Sequence, residues 1–229
     1  MINLQQMIEA NEIFSDFDKR IALWCDGLAD TNDLANLSNY IIENKINLIS
    51  VLPEMVYFLW ACLEKNNVRI LSRYNFAPLQ KNMDKDVSKL VENIVDIFKK
   101  GANGVQIFLR QRDFERFIDI LRFVRNDLFF EHDLSVGFDI NDISFADWDN
   151  IFEKLRDIQA NSLVLTLNED MGNRSDFVGR VYGMLQKWDF DGELHFVLNN
   201  DYERMDQVIR LVELEKSELA DKLHFFLEY

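Results

Sequence analysis

The strongest constraint on the fold is a run of strand-like segments that alternate with amphipathic helical ones and carry two unlike faces. The clearest are GVQIFLR (104–110), LSVGFDI (134–140), SLVLTLN (162–168), ELHFVLN (193–199) and KLHFFLE (222–228). One face of each is apolar throughout, as in Val105, Ile107 and Leu109 or Leu194, Phe196 and Leu198. A sheet face covered by helices demands this.

The opposite face carries Gln106, Phe108 and Arg110; Ser135, Gly137 and Asp139; Val164, Thr166 and Asn168; His195, Val197 and Asn199; and His224, Phe226 and Glu228. Ten of these side chains are polar. In an open sheet with helices on both sides, each would need a buried partner beneath a helix. A closed barrel gathers them in a shared lumen where they can satisfy one another.

Upstream, RIALWCD (20–26), INLISVL (46–52) and VRILSRY (68–74) read as three further strands, giving eight strands and seven intervening helices. This predicts an α/β fold, a (β/α)8 TIM-type barrel over residues 1–229 as a single domain. A further helix is expected near 3–17, its apolar set Leu4, Met7, Ile8 and Phe14 covering the gap beside strands 1 and 8. The last strand runs to Tyr229 with no helix after it. Thr31, Ser144, Ser175 and Asp201 stand where an N-cap oxygen belongs, and Pro53 suits a first helical turn. No G-x-G-x-x-G nucleotide turn occurs.

Composition removes several classes of function. The net charge of −15 repels phosphate backbones and anionic membranes, so nucleic-acid and membrane partners are not expected. No segment approaches the roughly 18 uncharged apolar residues of a membrane span, and no basic-flanked apolar leader opens the chain, so a cytoplasmic location is expected. Cys25 and Cys62 lack metal or redox spacing and read as buried free thiols. Three scattered histidines support no His-rich zinc site, and neither a metal nor a cofactor is expected. The one metal alternative is magnesium held by Asp26, Asp139 and Glu169. Oligomeric state is not legible.

In barrels of this kind chemistry gathers at the C-terminal ends of the strands. The last lumen-facing position of each strand gives Asp26, Ser50, Arg73, Arg110, Asp139, Asn168, Asn199 and Glu228, all polar. Two readings follow. In one, Arg73 and Arg110 grip an anion, with Ser50, Asn168 and Asn199 as further binding groups, while Asp26, Asp139 or Glu228 transfers protons. That describes an acid/base enzyme, isomerase or lyase in type, acting on a small anionic or polyhydroxylated metabolite. In the other, the same arginines and acids pair across a sealed lumen, and the barrel serves as a binding or interaction protein. No Lys occupies a strand tip, which disfavours Schiff-base aldolase chemistry unless Lys81 or Lys85 reaches in from a loop.

Overall fold

A computed structural model describes residues 20–27, 31–75, 83–123, 125–126, 131–167 and 174–229. Its elements follow in strict alternation: β1 (Ile21–Cys25), α1 (Thr31–Glu43), β2 (Leu48–Val51), α2 (Val56–Leu63), β3 (Arg69–Asn75), α3 (Met83–Lys99), β4 (Gly104–Phe108) and α4 (Phe114–Phe123). Then come β5 (Asp133–Asp139), α5 (Trp148–Asp157), β6 (Ser162–Thr166), α6 (Arg174–Lys187), β7 (Glu193–Val197), α7 (Tyr202–Glu215) and β8 (Leu223–Glu228). All eight strands are parallel, and β8 pairs with β1 through Ile21 opposite Phe225 and Leu23 opposite Leu227, which closes the barrel.

The two strand faces divide as alternation requires. Val105, Ile107, Val136, Phe138, Leu163, Leu165, Leu194, Phe196, Phe225 and Leu227 are buried in one continuous apolar cluster shared with the helices. A smaller cluster of Ala22, Leu48, Leu71, Val164, Val197 and Phe226 fills the lumen, with Trp24 and Phe108 packed against it. The barrel interior is therefore a second core rather than a channel.

Local chemistry explains the element ends. Asp201 accepts from the Arg204 backbone N–H at 3.1 Å before α7. Ser144 and Asp147 form a reciprocal capping box on the 3-10 turn that leads into α5. Pro53 opens the turn before α2. After α3, Gly101 takes φ of +102°, where an added Cβ would come within 2.2 Å of the Trp60 ring, so only glycine fits. Before β4 and β6, Asn103 and Asn161 accept from the backbone N–H groups of Ile70 and Leu134 at 2.8 and 2.9 Å, clamping each strand to its neighbour.

Two expectations need correction. Strands β4 and β7 end at Phe108 and Val197, two residues short of the anticipated limits, because the chain turns immediately into a 3-10 turn at Gln111 and into left-handed residues at Asn199 and Asn200. Cys62 is exposed while Cys25 is buried: α2 turns Val56, Leu59 and Leu63 inward, and Cys62 falls on the other side. The expected helix at 3–17, like Lys81, Asn168 and Glu169, lies outside the described residues.

Candidate functional site

The C-terminal end of the lumen is built around Trp24 on β1. Its ring packs edge-on against Phe108 at 5.6 Å and Phe226 at 6.0 Å between centroids. Phe108 in turn lies across Gly137, where a Cβ would come within 2.3 Å of its ring. Three aromatic rings from β1, β4 and β8 thus floor the mouth and pack on the apolar residues of the lumen beneath them.

Arg73 rests on that floor. Its guanidinium carbon sits 3.8 Å from the Trp24 ring centroid, a cation–π contact. One terminal nitrogen donates to the Cys25 carbonyl at 2.5 Å and to the Asp26 carboxylate. The indole N–H of Trp24 donates to the other Asp26 oxygen at 3.1 Å. Burial lowers the Arg73 guanidinium from its ordinary value, with Asp26 pulling the other way. Burial pushes the adjacent Cys25 thiol up to about 12, which keeps it protonated and inert. Ser50 donates to Gln106 inside the lumen. Asp26 and Arg73 therefore interlock with each other, while Ser50 pairs separately with Gln106.

Asp139, Glu228, Asn199 and Arg110 stand at the strand ends and in the turns beyond them. The Asp139 carboxylate caps the following turn by accepting from the Asn141 N–H at 2.9 Å. Glu228 is exposed at the end of β8, its backbone N–H bonded to the Asn200 side chain at 2.9 Å. Asn199 is exposed in a left-handed turn beyond the end of β7. Arg110, anticipated in the lumen, is exposed on the rim, because β4 has already ended and Arg110 precedes a new 3-10 turn. There it lines a cavity of 280 Å³ together with Gln111, Arg112 and Asp142, between the turns that follow β4 and β5. Arg112 and Asp142 were missed because they lie beyond the strand tips, where strand alternation says nothing.

The opposite, N-terminal end of the lumen holds a second polar cluster. Arg69 on β3 forks both Glu193 oxygens at 2.9 and 3.0 Å and lies 3.1 Å from Asp133. The His195 Nε2 is 2.9 Å from the Glu193 carboxylate, and His224 packs edge-on to His195 at 5.3 Å between centroids. Burial lowers both imidazoles, His224 to about 4, so both are neutral near pH 7. Burial would raise the Glu193 carboxyl, but hydrogen bonds from His195 and Arg69 outweigh it and hold that group below the ordinary carboxylate range. Among the described residues, Glu193, His195 and His224 are the group whose donor atoms approach closely enough to share a metal ion. The two histidines fall on the lumen-facing side of their strands, as alternation predicts, but Glu193, Asp133 and Arg69 are the first residues of theirs, at the end opposite the strand tips.

This fold recurs among solved structures. An aldolase, QR15, superposes with a TM-score of 0.70 at 13% identity over 92% of this chain and 91% of its own. The deoxyribose phosphate aldolase of Aeropyrum pernix gives 0.68 at 12% identity, over 99% of this chain and 92% of its own. The likeness is one of fold. The homocysteine methyltransferase MmuM of Escherichia coli also superposes, at 0.62 and 6% identity over 96% of this chain and 93% of its own, so barrels with different chemistry share this framework. No family model matches the sequence, and no curated protein does either. Among the described residues no helix is long and apolar enough to cross a membrane.

Proposed function

We propose that the chain is an acid/base enzyme, lyase or isomerase in type, that acts on a small anionic metabolite at the C-terminal end of the barrel. The carrying observation is the 280 Å³ cavity on that rim, lined by Arg110, Arg112, Gln111 and Asp142. Two guanidinium groups there supply paired donors for a carboxylate or phosphate, and Gln111 adds a neutral polar contact. Asp142 is the carboxylate on the described wall and is assigned the proton transfer, with Asp139 on the preceding strand shaping its turn. The aldolase likeness supports a lyase at the level of fold alone. No lysine occurs in any of the eight strands, which argues against an imine formed from a strand residue.

A second reading rests on its own observation. Arg73 and Asp26 engage each other, Trp24 and the Cys25 carbonyl, and Ser50 engages Gln106, which is how a sealed lumen would look in a barrel that only binds. Solvent deuterium exchange separates the two readings. Small carboxylates and phosphate esters are incubated with the protein in D2O and followed by NMR, using the wild type and Asp142→Asn. The enzyme reading expects deuterium at carbon in one class of metabolite, lost in the variant. Binding without exchange across that panel would favour the second reading.

A further inference from the structure

We propose that Glu193, His195 and His224 form a binding site for a divalent transition-metal ion of the zinc type at the N-terminal end of the lumen. Glu193 and His195 stand two residues apart on β7 and so share a face, while His224 lies directly opposite His195 on β8. Two adjacent strands of a closed barrel thus present two imidazoles and one carboxylate from rigid backbone. That donor set suits a borderline dication and leaves a fourth position for water.

The geometry is near what an ion needs. The candidate donor atoms all lie within 4.8 Å of one another, and His195 Nε2 is already 2.9 Å from Glu193. Ligands at about 2.0–2.1 Å around a tetrahedral ion stand roughly 3.3 Å apart, so only side-chain adjustment is required. A second observation points the same way: among the described residues, the Nδ1 atom of His224 is buried with no hydrogen-bond partner, which leaves that nitrogen open to an ion. A buried polar atom is seldom left so. Arg69, itself paired with Asp133, would become the outer group that orients Glu193. Glu193 keeps about a quarter of its side chain exposed (26%), which gives an ion a way in from that end.

The site is separate from the rim cavity and independent of the activity proposed there. The test is titration of chelator-treated protein with Zn²⁺ by calorimetry and with Co²⁺ by visible spectroscopy. One equivalent of Zn²⁺ is expected, and tetrahedral d–d bands from Co²⁺. His224→Gln should weaken binding by at least about tenfold, since loss of an outer-shell group alone costs that much. Glu193→Gln should do the same and serves as the second variant if His224→Gln fails to fold. No stoichiometric binding, or binding that both variants leave unchanged, would overturn the assignment.

Discussion

Replacing Gly137 by alanine tests whether aromatic rings fill the lumen below the mouth. Gly137 does not have a positive φ, so the backbone accepts alanine and would gain about 0.4–1 kcal/mol from a stiffer unfolded chain. Against this, the new Cβ would lie 2.3 Å from two Phe108 ring carbons, and all three nearest atoms belong to that ring. Phe108 is held by Trp24 at 5.6 Å, so it cannot swing away freely. Overpacking of this kind costs about 1–3 kcal/mol, giving a net loss of about 1–2 kcal/mol. For a chain of this length that lowers Tm by about 2–8 °C. With Phe108→Ala in place the obstruction is gone, and the same glycine change should stabilise by about 0.5 kcal/mol. Thermal and urea unfolding of the wild type, both single variants and the double variant form the cycle. Equal destabilisation by Gly137→Ala in both backgrounds would refute the packing argument.

Arg73→Met keeps a chain over Trp24 but removes the links to Cys25 and Asp26; a loss of about 2–3 kcal/mol is expected by urea unfolding, short of a fully buried pair because Asp26 is exposed. In metal-free protein, stability should fall as pH drops. His224 titrates near 4 when folded against an ordinary 6.5, so its contribution is complete above 6.5 and lost on the way to 4, on the order of 3 kcal/mol. His195 acts in the same direction and Glu193 extends the loss below its ordinary value of 4.5; His224→Gln should flatten the slope between pH 6.5 and 4 in a Tm profile. A thiol reagent should modify Cys62 alone in native protein and reach Cys25 only after unfolding, as mass spectrometry would show.

How much of this was legible follows from what alternation can report. Val105, Ile107 and Leu109 against Gln106 and Phe108 revealed both faces of β4, and the polar second face implied closure, because a lumen is where such groups find each other. Ser50 with Gln106 is such a pair. Strand alternation has no power past the last ladder residue. Arg110 and Asn199 were carried into the lumen by extending a period of two across turns that the chain had already begun. The 3-10 turn at 111–113 swings Arg110 onto the rim beside Arg112, a residue on another strand-independent register. The aromatic floor was hidden for another reason. Trp24, Phe108 and Phe226 are far apart in sequence, and which lumen residues share a level depends on shear, which is set by the pairing of all eight strands. Glu193 escaped because a strand's first residue is also where the preceding turn ends.

The proposed activity requires the rim cavity to be a site for an anion. A thermal-shift screen of small carboxylates and phosphate esters, run on the wild type and on Arg110→Ala/Arg112→Ala, measures this. At a ligand concentration of about 100 times Kd the wild type should gain about 2.7 kcal/mol, read as a rise in Tm, and the double variant should lose that gain. An anion that stabilises both proteins equally, or a panel in which no anion stabilises the wild type, would contradict it.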